Sequence, residues 1–136
     1  MIKNDKIAII IPYYNATNYL KKCVSSLILN TSLSNTKICI IDNASEIPAR
    51  KAIGDNIITI RNNKNIGFTK AVNQGIKKFP HRDIVIINSD CEVRKKGWLK
   101  SLSFCAYSGP KIALACPCHI TGGCDTAINN RTSPRN

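Results

Sequence analysis

Lys6-Ile7-Ala8-Ile9-Ile10-Ile11-Pro12-Tyr13-Tyr14-Asn15 holds a β-branched run, and the architecture follows from it. Between Lys6 and Pro12 there is no polar residue, so neither face of the segment suits water. Its isoleucines are stiff at χ1 and favour extended backbone. A strand that lacks polar alternation is covered on both faces, as in parallel sheets flanked by helices. Pro12 ends the run, and residues 6–12 are read as a strand.

Downstream the same rhythm repeats. Residues 17–29 keep Leu20, Val24, Leu27 and Ile28 at helical spacing, behind an Asn15-Ala16-Thr17 entry able to cap a first turn. A second strand over 37–41 ends at Asp42, and Asn43-Ala44-Ser45 is expected to open a short helix running toward Gly54. Residues 57–60 form a third strand. Arg61-Asn62-Asn63-Lys64-Asn65 is a polar loop leading to Gly67. From Phe68 the residues Ala71, Val72, Gly75, Ile76 and Phe79 share one helical face until Pro80 stops it. Residues 83–87 make a fourth strand, Trp98, Leu99, Leu102 and Cys105 mark another helix, and 112–116 suit a fifth strand. Strands alternating with helices require crossovers that lay a helix on the sheet each time. The fold class is therefore α/β, a Rossmann-like, doubly wound, mostly parallel sheet. Residues 1–116 are expected to be one domain and 117–136, where small and polar residues replace the periodic pattern, an irregular tail.

With 136 residues the chain supports one core. The early apolar run is too short for a signal peptide and nothing approaches a membrane span, so a cytoplasmic setting is expected. In that setting the 7 cysteines are reduced thiols. Cys23, Cys39 and Cys105 fall on apolar faces as small core residues. Cys116, Cys118, His119 and Cys124 lack the two-residue spacing of zinc ligand pairs, and no zinc is expected. The 20 Lys and Arg against 8 Asp and Glu, net +12, favour an anionic partner: a nucleotide diphosphate, an acidic lipid surface met peripherally, or nucleic acid.

Ligands of open α/β sheets sit at the carboxyl ends of the strands, where strand order reverses. With order 3-2-1-4 that point brings the Pro12-Tyr13-Tyr14 turn beside Asn88-Ser89-Asp90, with Asp42 one strand away, in reach of a base or ribose. A dinucleotide site would need glycines in the first turn, and Ile11-Pro12-Tyr13-Tyr14-Asn15-Ala16 has none. A diphosphate bound here would have its charge met by a divalent cation on Asp90. Taken singly, Asp42 and Asp90 read equally as turn residues, and the tyrosines as packing residues, one of which could stack on a base.

Ile9-Ile10-Ile11-Pro12-Tyr13-Tyr14-Asn15, Ile40-Ile41-Asp42-Asn43-Ala44-Ser45, Asn65-Ile66-Gly67-Phe68 with Ala71, Asn73 and Gly75, and Ile87-Asn88-Ser89-Asp90-Cys91-Glu92-Val93 resemble, in order, the motifs of family 2 glycosyltransferases of GT-A fold, most of all the rhamnosyltransferase-like subgroup. The resemblance covers residues 6–116. It implies the nucleotide-sugar-binding half of that fold, cut short. Pro12 and Tyr13, with Tyr14 and Asn15, would line a nucleoside pocket and Asp42 would bond the base. Asn65, Gly67 and Asn73 would shape the far wall. Asn88 and Ser89 would flank Asp90, the ligand of Mg or Mn on the diphosphate. Asn88 stands where the family's Asp-x-Asp motif has its first acid, which leaves Asp90 as the metal ligand. Partners implied are a nucleotide-diphosphate sugar and a glycan or glycolipid acceptor, with inversion at the sugar. No residue matches the family's catalytic base, and Asp125 is the sole acid after Cys116.

Two other classes remain in view. A noncatalytic nucleotide-binding module, or inactive remnant, fits the missing base. A nucleic-acid binder is suggested by charge alone and lacks an aromatic platform or a recognised module.

Overall fold

The isoleucine run forms β1 (Ile7–Tyr13), buried along nearly its whole length. In the computed structural model, which describes residues 6–117, it is followed by α1 (Thr17–Asn30), β2 (Thr36–Asp42), α2 (Ala49–Ile53), β3 (Ile58–Arg61), α3 (Phe68–Lys78), β4 (Asp83–Ile86) and α4 (Trp98–Ala106). The sheet order is β3-β2-β1-β4 and every pairing is parallel. The two central strands are thus the deeply buried ones, while β3 and β4 are only partly covered, because only β1 and β2 meet neighbouring strands on both edges.

Alternation divides the sheet. Ile7, Ile9, Ile11, Tyr13, Ile38 and Ile40 pack with Leu20, Cys23, Val24 and Leu27 of α1, with Ala49 of α2 and with Leu99. Each fully buried Val or Leu on that face contributes about 1.5–3 kcal/mol of transfer free energy. On the opposite face Ala8, Ile10, Cys39 and Ile41 meet Ala71 of α3. There α3 lies close to β1, for a β-carbon added at Gly75 would stand 2.5 Å from Ile10 Cγ2.

The described residues fall into two compact units that divide between Leu99 and Lys100. The fold class stands as expected, an α/β, Rossmann-like parallel sheet, and the elements shift in four places. First, Asn43-Ala44-Ser45 opens no helix. Ala44 takes φ 64° and α2 begins only after Pro48, because the intervening turn is held by Asp42. Second, residues 112–116 form no strand, with Ile112 42% and Leu114 84% exposed. An apolar run specifies a strand only where a neighbour takes its ladder hydrogen bonds. Third, Cys105 is exposed while Cys23 and Cys39 are buried. Fourth, Ile28 is half exposed, and Cys23 takes its place in the buried stripe of α1. The tail after residue 117, including Cys118, His119, Cys124 and Asp125, lies outside the described residues.

Candidate functional site

At the carboxyl ends of β1 and β4, Pro12, Ala16, Tyr19, Asn88, Ser89 and Asp90 line a cleft of about 560 Å³. Its floor turn is fixed from beneath. The Asn88 carbonyl accepts the Cys91 N–H at 3.1 Å and the buried Cys23 thiol at 3.7 Å. Burial, with the nearby Cys91, Asp90 and Glu92 adding to it, pushes that thiol up to about 12, so Cys23 stays a neutral donor. Asn88 and Asp90 themselves are exposed at the cleft, and Cys91 Sγ approaches Asp90 Oδ1 at 4.0 Å.

The turn from β1 to α1 forms the other wall. Asn15 takes φ 51° and caps nothing in α1; its N–H donates to Ser45 Oγ at 3.1 Å and its Oδ1 accepts the Glu46 N–H at 2.8 Å. Asparagine tolerates that left-handed geometry better than most residues. The structure sets Tyr13 in the core at 1% exposure, its hydroxyl donating to the Ile47 carbonyl at 3.0 Å and bonded to Thr17 Oγ1 at 2.8 Å. Its ring therefore presents no surface for a nucleoside. Tyr14 beside it is 51% exposed.

Asp42 is fully buried, and its carboxylate is committed to the protein. Oδ1 accepts the Ser45 N–H at 2.9 Å; Oδ2 accepts the Ala49 N–H at 3.0 Å and Arg61 Nη1 at 2.6 Å. Burial alone would raise its pKa, but the Ala49 and Ser45 N–H groups and the Arg61 guanidinium outweigh it and hold the carboxyl below its usual range. Arg61 also donates to the Ser45 carbonyl at 2.9 Å. This knot closes one side of a recess of about 280 Å³ lined by Asp42, Pro48, Arg50, Thr59 and Arg61. Beside it, buried Asn43 accepts from Asn62 Nδ2 at 3.0 Å, and Asn62 and Gln74 exchange amide hydrogen bonds at 2.9 and 2.8 Å. These amides tie the ends of β2 and β3 to α3.

The structure thus gathers Pro12, Asn88, Ser89 and Asp90, with Tyr14 and Asn15 on the adjoining turn, and it sets Asp42 in a separate recess. Asn65, Gly67 and Asn73 line neither. Asn65 Oδ1 accepts the Gly67 N–H at 2.9 Å, which shapes the entry to α3, where Gly67 has φ 82°; Asn73 is exposed on α3. Ala16, at the entry to α1, Tyr19, in its first turn, and Arg61, assigned to a loop, were not read from the sequence as site residues. The parallel register, which sets Arg61 against Asp42, is the signal that would have found it.

Among the described residues no three His, Cys, Asp or Glu side chains converge on a metal position. One carboxylate suits a cation that keeps waters and takes its remaining oxygens from a bound phosphate, which is how Mg²⁺ is commonly held. Asp90, exposed at the cleft, fits that role.

Residues 8–133 match the family described as glycosyl transferase family 2. The chain belongs to that family. A curated relative, glycosyltransferase GlyA of Streptococcus pneumoniae serotype 4 (strain ATCC BAA-334 / TIGR4), is 32% identical over 95 residues, which is 66% of this chain and 14% of GlyA. Among solved structures, S. aureus TarS 1–349 in complex with UDP superposes with TM-score 0.60 at 19% identity, covering 73% of this chain and 31% of TarS. The mannosyltransferase PcManGT from Pyrobaculum calidifontis, in complex with GDP-Man and Mn²⁺, gives TM-score 0.57 at 14% identity, covering 71% and 30%. The glycosyl transferase family 2 chain therefore has the GT-A fold over its sheet and spans less than a third of the proteins it resembles. No helix among its described residues is long and apolar enough to cross a membrane.

Proposed function

We propose that this chain carries the donor site of a glycosyltransferase that takes its sugar from a nucleotide-diphosphate sugar. The observation that carries the reading is the convergence of Pro12, Asn88, Ser89 and Asp90 on one cleft of about 560 Å³, a size suited to such a ligand. In this reading residues 1–116 are the donor domain and 117–136 a tail of unassigned role. Tyr14, rather than the buried Tyr13, offers a ring to the base. Asp42 acts through Arg61 and the Ser45 turn, which it fixes. Asn65, Gly67 and Asn73 shape the approach to α3. The UDP and UDP-GlcNAc named with TarS and the GDP-Man and Mn²⁺ named with PcManGT support the ligand class.

Asp90 would hold a divalent cation, Mg or Mn, whose charge offsets that of the diphosphate. The chain's own part is to seat the nucleotide and orient the sugar toward the open side of the cleft. Transfer with inversion is a direct displacement. The acceptor oxygen bonds to the anomeric carbon as the bond to the diphosphate breaks, and the hydroxyl proton passes to a general base. Beyond Asp90 the described residues hold one carboxylate, Glu92, and none is assigned that role. The acceptor class is a glycan or glycolipid, met in the cytoplasm or peripherally at a membrane.

The same scarcity of carboxylates favours a second reading, a nucleotide-binding module without turnover. Titration calorimetry with UDP, dTDP and GDP in Mn²⁺, followed by assay of donor consumption, separates the two. Saturable binding with sugar release or transfer supports the transferase; binding without consumption supports the module. No heat with any nucleotide, from folded protein, overturns both.

A further inference from the structure

Three hydrogen bonds clamp the segment that follows the cleft turn onto the second half of α1 and the residue that ends it. The Val93 N–H donates to Ser26 Oγ at 3.0 Å, Asn30 Nδ2 donates to the Val93 carbonyl at 2.8 Å, and Trp98 Nε1 donates to Thr31 Oγ1 at 3.0 Å. Between these anchors runs Arg94-Lys95-Lys96-Gly97, with all three cations exposed. A loop this short, pinned at both ends, displays its charges from a defined place on the surface. The helix it is pinned to contains no acidic residue and adds exposed Lys21 and Lys22. Glu92 is the one acid in residues 91–97.

The apolar side chains here are as unusual as the charge. Leu29, next to Asn30, is 72% exposed; Ile28 at the same helix end is 50% exposed and Leu33 just beyond it 43%. Leu29 lies two turns from Lys22, so both project from one outward face of α1. Cations with aliphatic residues among them match a bilayer surface. The cations meet anionic headgroups, and the aliphatic groups enter the boundary with the acyl chains. A nucleic acid would instead call for a row of aromatic rings on which bases stack; the exposed apolar side chains at this end of α1 are aliphatic, and Tyr19, the exposed ring of α1, lines the cleft at the other end of the helix.

We infer that the end of α1 and the Arg94-Lys95-Lys96 loop form a docking surface for an anionic lipid bilayer. The inference does not rest on the donor reading. Should both hold, the surface would bring the cleft, whose Asp90 lies four residues before Arg94, close to lipid-borne acceptors.

The test is sedimentation of the full chain with phosphatidylcholine vesicles, with and without phosphatidylglycerol. The expected result is partition onto the anionic vesicles alone, weakened by 0.5 M salt. Replacing Arg94, Lys95 and Lys96 together with Gln should lower partition roughly 100-fold, at about fivefold per cation. Leu29→Ser should lower it about tenfold, through lost apolar burial. All four positions are exposed, so unchanged thermal midpoints are expected. Equal partition onto neutral vesicles, no partition at all, or an unaffected triple variant overturns the proposal. So does a silent Leu29→Ser combined with full displacement by duplex DNA, the signature of a general polyanion site. Asp90→Asn should leave vesicle binding unchanged, which keeps this test separate from that of the donor site.

Discussion

Asp42 shows how a residue can lie at a site and be spent on holding it together. Its oxygens are met by two backbone N–H groups and a guanidinium, so truncation leaves buried donors without partners and Arg61 without its counter-charge. Asp42→Ala is expected to lower unfolding free energy by about 3 kcal/mol, read by denaturant titration. The pH dependence has a definite sign. The folded-state pKa lies below that of the unfolded chain, about 3.9, so the stabilisation is complete above that value and is lost as pH falls through the folded one. Stability measured from pH 6 down to pH 2 should fall more gently for Asp42→Asn than for the parent; parallel curves would count against a depressed pKa. In the sequence Asp42 taken singly reads equally as a turn residue; its place at a strand end near Asp90 and the family resemblance mark it as functional. The sequence could not reveal where the carboxylate points, since that depends on Arg61 arriving from the neighbouring strand.

Among the elements, the packing of α3 on β1 is the most exposed to disproof. Alanine in place of a mid-helix glycine ordinarily stabilises by about 1 kcal/mol. At Gly75 the added carbon would press on Ile10, which is fully buried. Gly75→Ala is therefore expected to destabilise by about 1–3 kcal/mol, seen as a lower denaturant midpoint. A raised midpoint would mean that helix and strand are further apart than described. The strands and long helices were legible in the sequence because β-branched runs and the Leu20, Val24, Leu27 spacing each carry a period of their own. The start of α2 was not legible, since Asn43-Ala44-Ser45 is a turn made by Asp42's hydrogen bonds and by Ala44 at positive φ. Residues 112–116 misled for a related reason: local apolarity states a preference for burial without saying what supplies it. Tyr13 illustrates the same limit at the site, where alternation along β1 turns it inward and leaves Tyr14 outside.

At the scale of the whole molecule, topology did most to assemble the cleft. Order β3-β2-β1-β4 reverses direction between β1 and β4, and that reversal brings Pro12 against Asn88-Ser89-Asp90 across 76 positions of sequence from Pro12 to Asn88. The strand order could be anticipated from the rhythm of the elements; the parts played by Ala16 and Tyr19 required the placement of α1. The central claim is that this cleft binds a nucleotide diphosphate through a cation on Asp90. Its most direct test is the thermal midpoint of the chain with UDP, dTDP or GDP, in Mn²⁺ and in chelator, for the parent and for Asp90→Asn. A ligand at a hundredfold excess over its dissociation constant adds about 2.7 kcal/mol, a rise on the order of 10 °C for a domain of this size. The account predicts that rise for at least one nucleotide in Mn²⁺, its loss in chelator and its loss in Asp90→Asn. A rise that survives both changes, or no rise in folded protein, would contradict it.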